Sequence, residues 1–140
     1  MKKLAATIVV GLAVAAATHF VSSSSSPAFA ETIPSGAIYM IDGDTADIDG
    51  KRYRLVGYDT PETYRAECDF ERAWGDQATN RARQLIGEAG AIELVVLPGE
   101  DRYGRGLARI MINGTDLGRT LIAENLARPY DGGRRAGWCG

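Results

Sequence analysis

Histidine is almost missing from this 140-residue chain, with His19 its one representative. Lysine is nearly as scarce: beyond the opening residues only Lys51 remains. Two cysteines are too few for a disulfide-rich scaffold or a four-thiolate zinc centre. Charge of neither sign dominates, since 16 Lys and Arg face 18 Asp and Glu for a net charge of −2. That balance argues against a strongly basic nucleic-acid coat, while leaving room for a local basic site. What is present, 45% hydrophobic and 24% charged residues, is the profile of one compact domain rather than a disordered segment.

The first thirty residues have a character of their own. Lys2 and Lys3 make a positive start, and Leu4 to Val21 is apolar apart from Thr7, Thr18 and His19. A serine run, Ser22 to Ser26, leads to Ala28-Phe29-Ala30, the small-x-small pattern of a signal-peptidase site. Residues 1–30 are read as a signal peptide cleaved after Ala30, with a retained membrane anchor as the alternative. Residues 31–140 then form a single secreted or periplasmic domain, expected as a monomer with no stable membrane association after cleavage. Export would carry Cys68 and Cys139 into an oxidising compartment, where a lone pair usually bridges. Two unpaired thiols are the alternative.

Removing the leader leaves 14 basic and 18 acidic residues, a net charge of −4, and no histidine. Ser-His-Asp, Cys-His and His-ligated zinc mechanisms go together with it. Catalysis would have to come from carboxylates, arginines, tyrosines and a metal held by oxygen ligands.

Along this region the pattern alternates between strands and helices. Glu31 to Gly36 reads as a flexible lead-in, followed by strands over Ala37–Ile41, Asp44–Ile48 and Lys51–Tyr58. Asp49-Gly50 signals a two-residue hairpin, and Pro61 stops the third strand. Trp74, Ala78, Ala82 and Ile86 recur at helical spacing, predicting a helix over Arg72–Ile86 that stops at Gly87. Strands over Ala91–Leu97 and Arg105–Ile112 follow, then a short helix capped by Asp116, then an irregular glycine-rich tail. The order predicts an α+β, mainly β fold: a five-stranded OB-fold-like barrel of antiparallel strands with two helices.

Certain charges break their strands' patterns. Asp44 shares parity with Ala46 and Ile48, the presumed inward face, and Arg54 shares parity with Val56 and Tyr58. Asp59 and Glu62 flank Pro61 at the strand's end. They read either as ordinary turn acids and surface arginines or as inward charges that need compensation. A hard cation with arginines would supply it, and such a set suits phosphodiester hydrolysis.

Asp42-Gly43-Asp44-Thr45, then Arg54-Leu55 with Asp59-Thr60-Pro61-Glu62-Thr63, then Asp101 to Ala108 (DRYGRGLA) carry a resemblance. Together and in this order they resemble the three signatures of the thermonuclease (staphylococcal nuclease) family, over about residues 37–127. The resemblance implies a calcium-dependent, sugar-nonspecific nuclease acting on single-stranded DNA and RNA and leaving 3′-phosphate and 5′-hydroxyl ends. Asp44 and Asp59 would be calcium ligands, with Thr60 adding its main-chain carbonyl. Glu62 would serve the attacking water, as general base or as positioning group. Arg54 and Arg105 would hold the scissile phosphate, while Tyr103, Arg102 and Tyr130 would touch the substrate. Tyr130 falls one residue closer to the last helix than the family pattern has it, and Asp42 is read as a turn residue or one behind the ligands rather than a direct ligand. The competing class is a non-catalytic OB-fold module that binds nucleic acid.

The sequence also departs from that family. Tyr64 to Arg72 carries acids where the family's loop is lysine-rich, implying weaker electrostatic steering. The family's long C-terminal helix has no counterpart, so Trp138-Cys139 is expected to pack back on the barrel. A Cys68–Cys139 bridge would hold it there, closing a loop worth roughly 4 kcal/mol on the chain-entropy account.

Overall fold

A computed structural model describes residues 28–140; the signal-peptide reading falls almost wholly on residues outside that range. The strands are β1 (Phe29–Pro34), β2 (Ile38–Asp42), β3 (Thr45–Ile48), β4 (Lys51–Leu55), β5 (Gly57–Asp59), β6 (Ala91–Glu100), β7 (Gly106–Ile112), β8 (Thr115–Asp116) and β9 (Arg128–Tyr130). Helix α1 spans Asp69–Glu88 and α2 spans Leu117–Ala123. The main sheet runs β1-β6-β7-β4-β3-β2, with β8 on β7, and β5 pairs separately with β9. The result is a curled, mainly β half-barrel with two helices, the OB-like architecture expected from the element order.

Local chemistry explains the turns. Asp49 and Gly50 both have positive φ, 49° and 80°, the pairing that a tight hairpin with the twist of β3 and β4 requires. Between β4 and β5, Gly57 at φ 94° breaks the strand that was expected to run unbroken to Tyr58. Within β4, Tyr53 and Leu55 enter the core while Arg54 faces the other way, and past Gly57 the parity changes so that Tyr58 is buried too. The lead-in is likewise a strand, because β1 pairs in register with β6 from Phe29↔Val96 to Pro34↔Ala91. One ladder is parallel, β4 with β7 (Arg54↔Leu107), since the chain reaches β7 by way of α1 and β6 instead of a hairpin.

Helix α1 begins three residues earlier than its apolar spacing suggests. Cys68 takes the capping position with extended backbone, and Asp69 and Glu71 place acid in the first turn, where the helix dipole favours it. Ala82 and Ile86 of α1 and Leu117 and Leu121 of α2 meet Met40, Leu55, Ile92, Leu94 and Ile110 in one core. Gly75 brings α1 hard against the segment carrying Glu62: a Cβ there would lie 2.7 Å from the carbonyl oxygens of both Pro61 and Glu62.

Candidate active site

The carboxylates come from two neighbouring places on the barrel. Asp44 sits in the turn before β3, its amide donating to Asp42 Oδ1 at 3.0 Å. Asp59 ends β5 and is fully buried, and the chain turns from it through Thr60 and Pro61 to Glu62. The two stretches are locked together, since the Thr60 amide donates to Asp44 Oδ2 at 3.1 Å. The Thr60 side chain packs on Gly43, where a Cβ would come within 2.6 Å of it. Farther along, the buried Glu71 carboxylate accepts from the amides of Glu62 (3.1 Å) and Glu67 (2.8 Å), setting the loop's path.

Arg54 bridges the acids. Its guanidinium lies 3.2 Å from Asp44 Oδ2 and 3.9 Å from Asp59 Oδ1. It also donates to the carbonyls of Asp44 (3.1 Å), Leu55 and Tyr58 (2.9 Å), so a nearly buried charge is held by several acceptors. Burial pushes the Asp44 carboxyl up to about 7, with Arg54 pulling the other way. A buried acid whose ionised form is disfavoured in this way stands to gain from any cation brought beside it.

The third motif arrives from the turn between β6 and β7. Asp101 Oδ1 accepts from the amides of Tyr103 (2.9 Å) and Arg105 (3.0 Å), and its Oδ2 accepts from Arg105 Nε at 2.6 Å. Arg105 then reaches Thr45 Oγ1 at 3.3 Å, next to Asp44, which itself accepts from that hydroxyl at 3.3 Å. Tyr103 is 65% exposed, with Arg102 and Arg105 against its ring at 4.7 and 5.4 Å. Tyr130, despite its unusual spacing, lies over Arg54 at 6.0 Å because β9 pairs with β5 and sets Tyr130 opposite Gly57.

The sequence reading missed what the tail adds. The β5–β9 register places Arg128 opposite Asp59, and Arg128 donates to Asp59 Oδ2 at 2.9 Å. Trp138 Nε1 donates to the same oxygen at 3.2 Å while its ring lies 3.9 Å from the Arg128 guanidinium and edge-on to Trp74. Arg135 pairs with Asp59 Oδ1 and with Glu62 Oε1 (2.7 Å), and lies 4.0 Å from Asp44. Cys139 is bonded to Cys68. A signal for this was present. Cys68 follows Glu62 closely, so pairing it with Cys139 necessarily returns the arginine-rich tail to the acidic loop.

A hard cation fits this arrangement. Asp59 Oδ1 is buried and meets only positive groups, the Arg135 guanidinium against it and Arg54 at 3.9 Å, while Oδ2 is doubly held. Oxygen donors from Asp44 and Asp59 are of the kind calcium takes. Cys68, Glu71 and Cys139 also lie close enough to share an ion, but the disulfide removes both thiolates.

Fold and site together define a small OB-like barrel whose edge joins buried carboxylates to guanidinium groups. The sequence pattern of the staphylococcal nuclease homologues matches residues 52–136, and the chain belongs to that family. Among similar proteins, endonuclease YncB of Bacillus subtilis (strain 168) is 36% identical over 96 residues, 63% of this chain and 44% of that one. The SPbeta prophage-derived endonuclease YokF of the same strain is 34% identical over 96 residues, covering 63% of this chain and 31% of YokF. The thermonuclease of Staphylococcus intermedius is 35% identical over 94 residues, 64% of this chain and 55% of the thermonuclease. The chain thus spans between about a third and just over half of these curated relatives.

Proposed function

We propose that this chain is a calcium-dependent, sugar-nonspecific nuclease that hydrolyses phosphodiester bonds in single-stranded DNA and RNA. The observation that carries the reading is the meeting of Asp44 and Asp59 with Arg54, and of Asp59 and Glu62 with Arg135, on one edge of the barrel of a nuclease family. Asp44 and Asp59, with the Thr60 carbonyl, would hold Ca2+, which supplies charge stabilisation at the phosphate when bound.

The chain's own residues account for the rest. Glu62, half-exposed at the mouth of the site, orients the attacking water or takes its proton. Attack on phosphorus forms one P–O bond and breaks the bond to the 5′ oxygen. The water's proton goes to Glu62 or solvent, and the 5′ oxygen takes a proton from solvent to leave as a hydroxyl, with the phosphate on the 3′ side. Arg54 meets the growing equatorial charge, as its nearly buried, multiply bonded guanidinium cannot relax away from it. Arg105, presented by Asp101, is the second phosphate clamp. Tyr103 and Arg102 offer a ring and a charge for base and backbone, and Tyr130 stands beside Arg54.

Export to the periplasm or the medium is proposed with it. The Cys68–Cys139 bridge supports this, since such bonds persist in oxidising compartments. Cleavage after Ala30 would leave Glu31–Pro34 of β1 paired with β6. Incubation of denatured DNA with the protein, in calcium and then in EDTA, tests the enzyme reading. Fragments with 3′-phosphate ends are expected in calcium alone. Intact DNA bound by folded protein in calcium would instead make this a non-catalytic binding module.

A further inference from the structure

Arg135 occupies the place where a metal ion would neutralise the acids. Its guanidinium touches Asp59 Oδ1 and Glu62 Oε1 and approaches Asp44. The segment bearing it is closed at both ends. Tyr130 is fixed by the β5–β9 ladder, and the far end is fixed by Trp138 on Asp59 and by the disulfide. Between them Gly132 and Gly133 take positive φ (112° and 83°), Tyr130 caps the Gly133 carbonyl at 2.7 Å, and Arg128 gathers the carbonyls of Ala136 and Gly137. Arg135 is therefore presented to the site by a tethered loop, and its side chain is still 40% exposed.

We infer that Arg135 is a further substrate-binding residue of this site, one that exchanges partners. Without metal it serves as the counter-cation of Asp59 and Glu62. With calcium on the carboxylates the two cations repel, Glu62 is released for water, and the guanidinium turns to the nearest remaining anion, a phosphate of the bound strand. The inference rests on the metal reading above. It also accounts for how a chain with a single lysine beyond its leader and an acidic loop after Glu62 can grip a polyanion: the positive charge returns through the tail.

The test compares oxidised full-length wild type, Arg135→Ala and Arg135→Lys. Calcium binding is measured by titration calorimetry without nucleic acid, and KM and kcat are measured on denatured DNA. Arg135→Ala is expected to bind calcium about tenfold more tightly and to raise KM about tenfold, with Arg135→Lys between it and wild type, as befits one charge-assisted contact made in each state. A merely structural residue would not move the two affinities in opposite directions. Calcium affinity unchanged or weakened in Arg135→Ala, or an unchanged KM, would overturn the inference with the metal site intact. Calcium binding by none of the three would overturn the metal reading and this inference with it. If Arg135→Ala does not fold, the arginine Nε–H resonances of wild type decide. Calcium should shift that of Arg135 and leave that of Arg52, paired with Asp47 at 2.9 Å, in place, whereas an unmoved Arg135 signal overturns the exchange.

Discussion

The two halves of the site are built in contrasting ways. The acids belong to the barrel: Asp44 and Asp59 are buried, one in the turn before β3 and the other at the end of β5, and the Thr60 amide ties the first to the second's neighbour. Two further cations face Asp59 from the C-terminal stretch: Arg128, set opposite it by the β5–β9 ladder, and Arg135 in the irregular tail, whose far end is held by the Trp138 contacts and the Cys68–Cys139 bond. A strand-built anionic frame meets a cationic arm that ends in irregular backbone. The difference teaches that the positions of the acids, of Arg54 and of Arg128 follow from strand pairing and turns, whereas those of Arg135 and Trp138 depend on the latch, so the two can be perturbed separately.

The latch is the place to break that contrast. Cys139→Ser opens a loop of 71 residues and should cost roughly 4 kcal/mol on the chain-entropy account, read as a lowered denaturant midpoint against wild type. Equal midpoints for oxidised wild type and variant would show that the tail is held without it. On the frame's side, Arg54→Ala should raise the barrier by roughly 3 to 4 kcal/mol, a 100- to 1000-fold loss of kcat. A loss below tenfold would remove Arg54 from the transition state.

Protonation separates the halves more gently. Burial raises the Asp44 carboxyl from 3.8 to about 7, so the folded protein binds a proton that the unfolded chain has released. In EDTA, stability should therefore fall as pH rises from about 4 to about 7, because the unfolded state binds fewer protons throughout that window. Melting temperatures of wild type and Asp44→Asn should diverge over that range, the wild type losing ground as pH rises; parallel curves would contradict the assignment. Smallest of the effects, Trp138→Phe keeps the ring against Arg128 and removes the Nε1–H bond to Asp59. About 1.5 to 3 kcal/mol of stability should go with that charge-assisted bond. A neutral result in denaturant titration would mean that Arg128 alone holds Asp59 Oδ2.

The same contrast decides what could be read before any coordinates. The hairpin at Asp49-Gly50, the cap at Asp116 and the alternation of Ala46 and Ile48 are local signals, and each reappears in the fold. Asp44 was conspicuous as a carboxylate on an inward parity, whereas Asp59 and Glu62 stood out only by their place beside Pro61, and the resemblance to the thermonuclease signatures gave all three their roles. Arg54 was found for a partly mistaken reason: its alignment with Val56 and Tyr58 assumed one strand, but the break at Gly57 puts Tyr58 on the inward side with Tyr53 and Leu55 and leaves Arg54 facing the other way. Strand β1 was hidden because its partner, β6, lies far away in sequence and only that pairing orders it. Arg128 and Arg135 escaped notice because their meaning depends on contacts between distant segments, and Glu71 because an acid in a helix's first turn shows no periodicity that marks it as the anchor of the preceding loop.

The central claim is that Asp44, Asp59, Glu62 and the arginines around them form one metal-dependent hydrolytic centre. Its most direct test is the rate of denatured-DNA cleavage by wild type and by Asp59→Asn, both folded, oxidised and in saturating calcium. The account predicts robust cleavage by wild type, abolished by EDTA, and at least a 1000-fold lower rate for Asp59→Asn as roughly the combined loss of a metal ligand and its charge. Cleavage by Asp59→Asn within tenfold of wild type would contradict it.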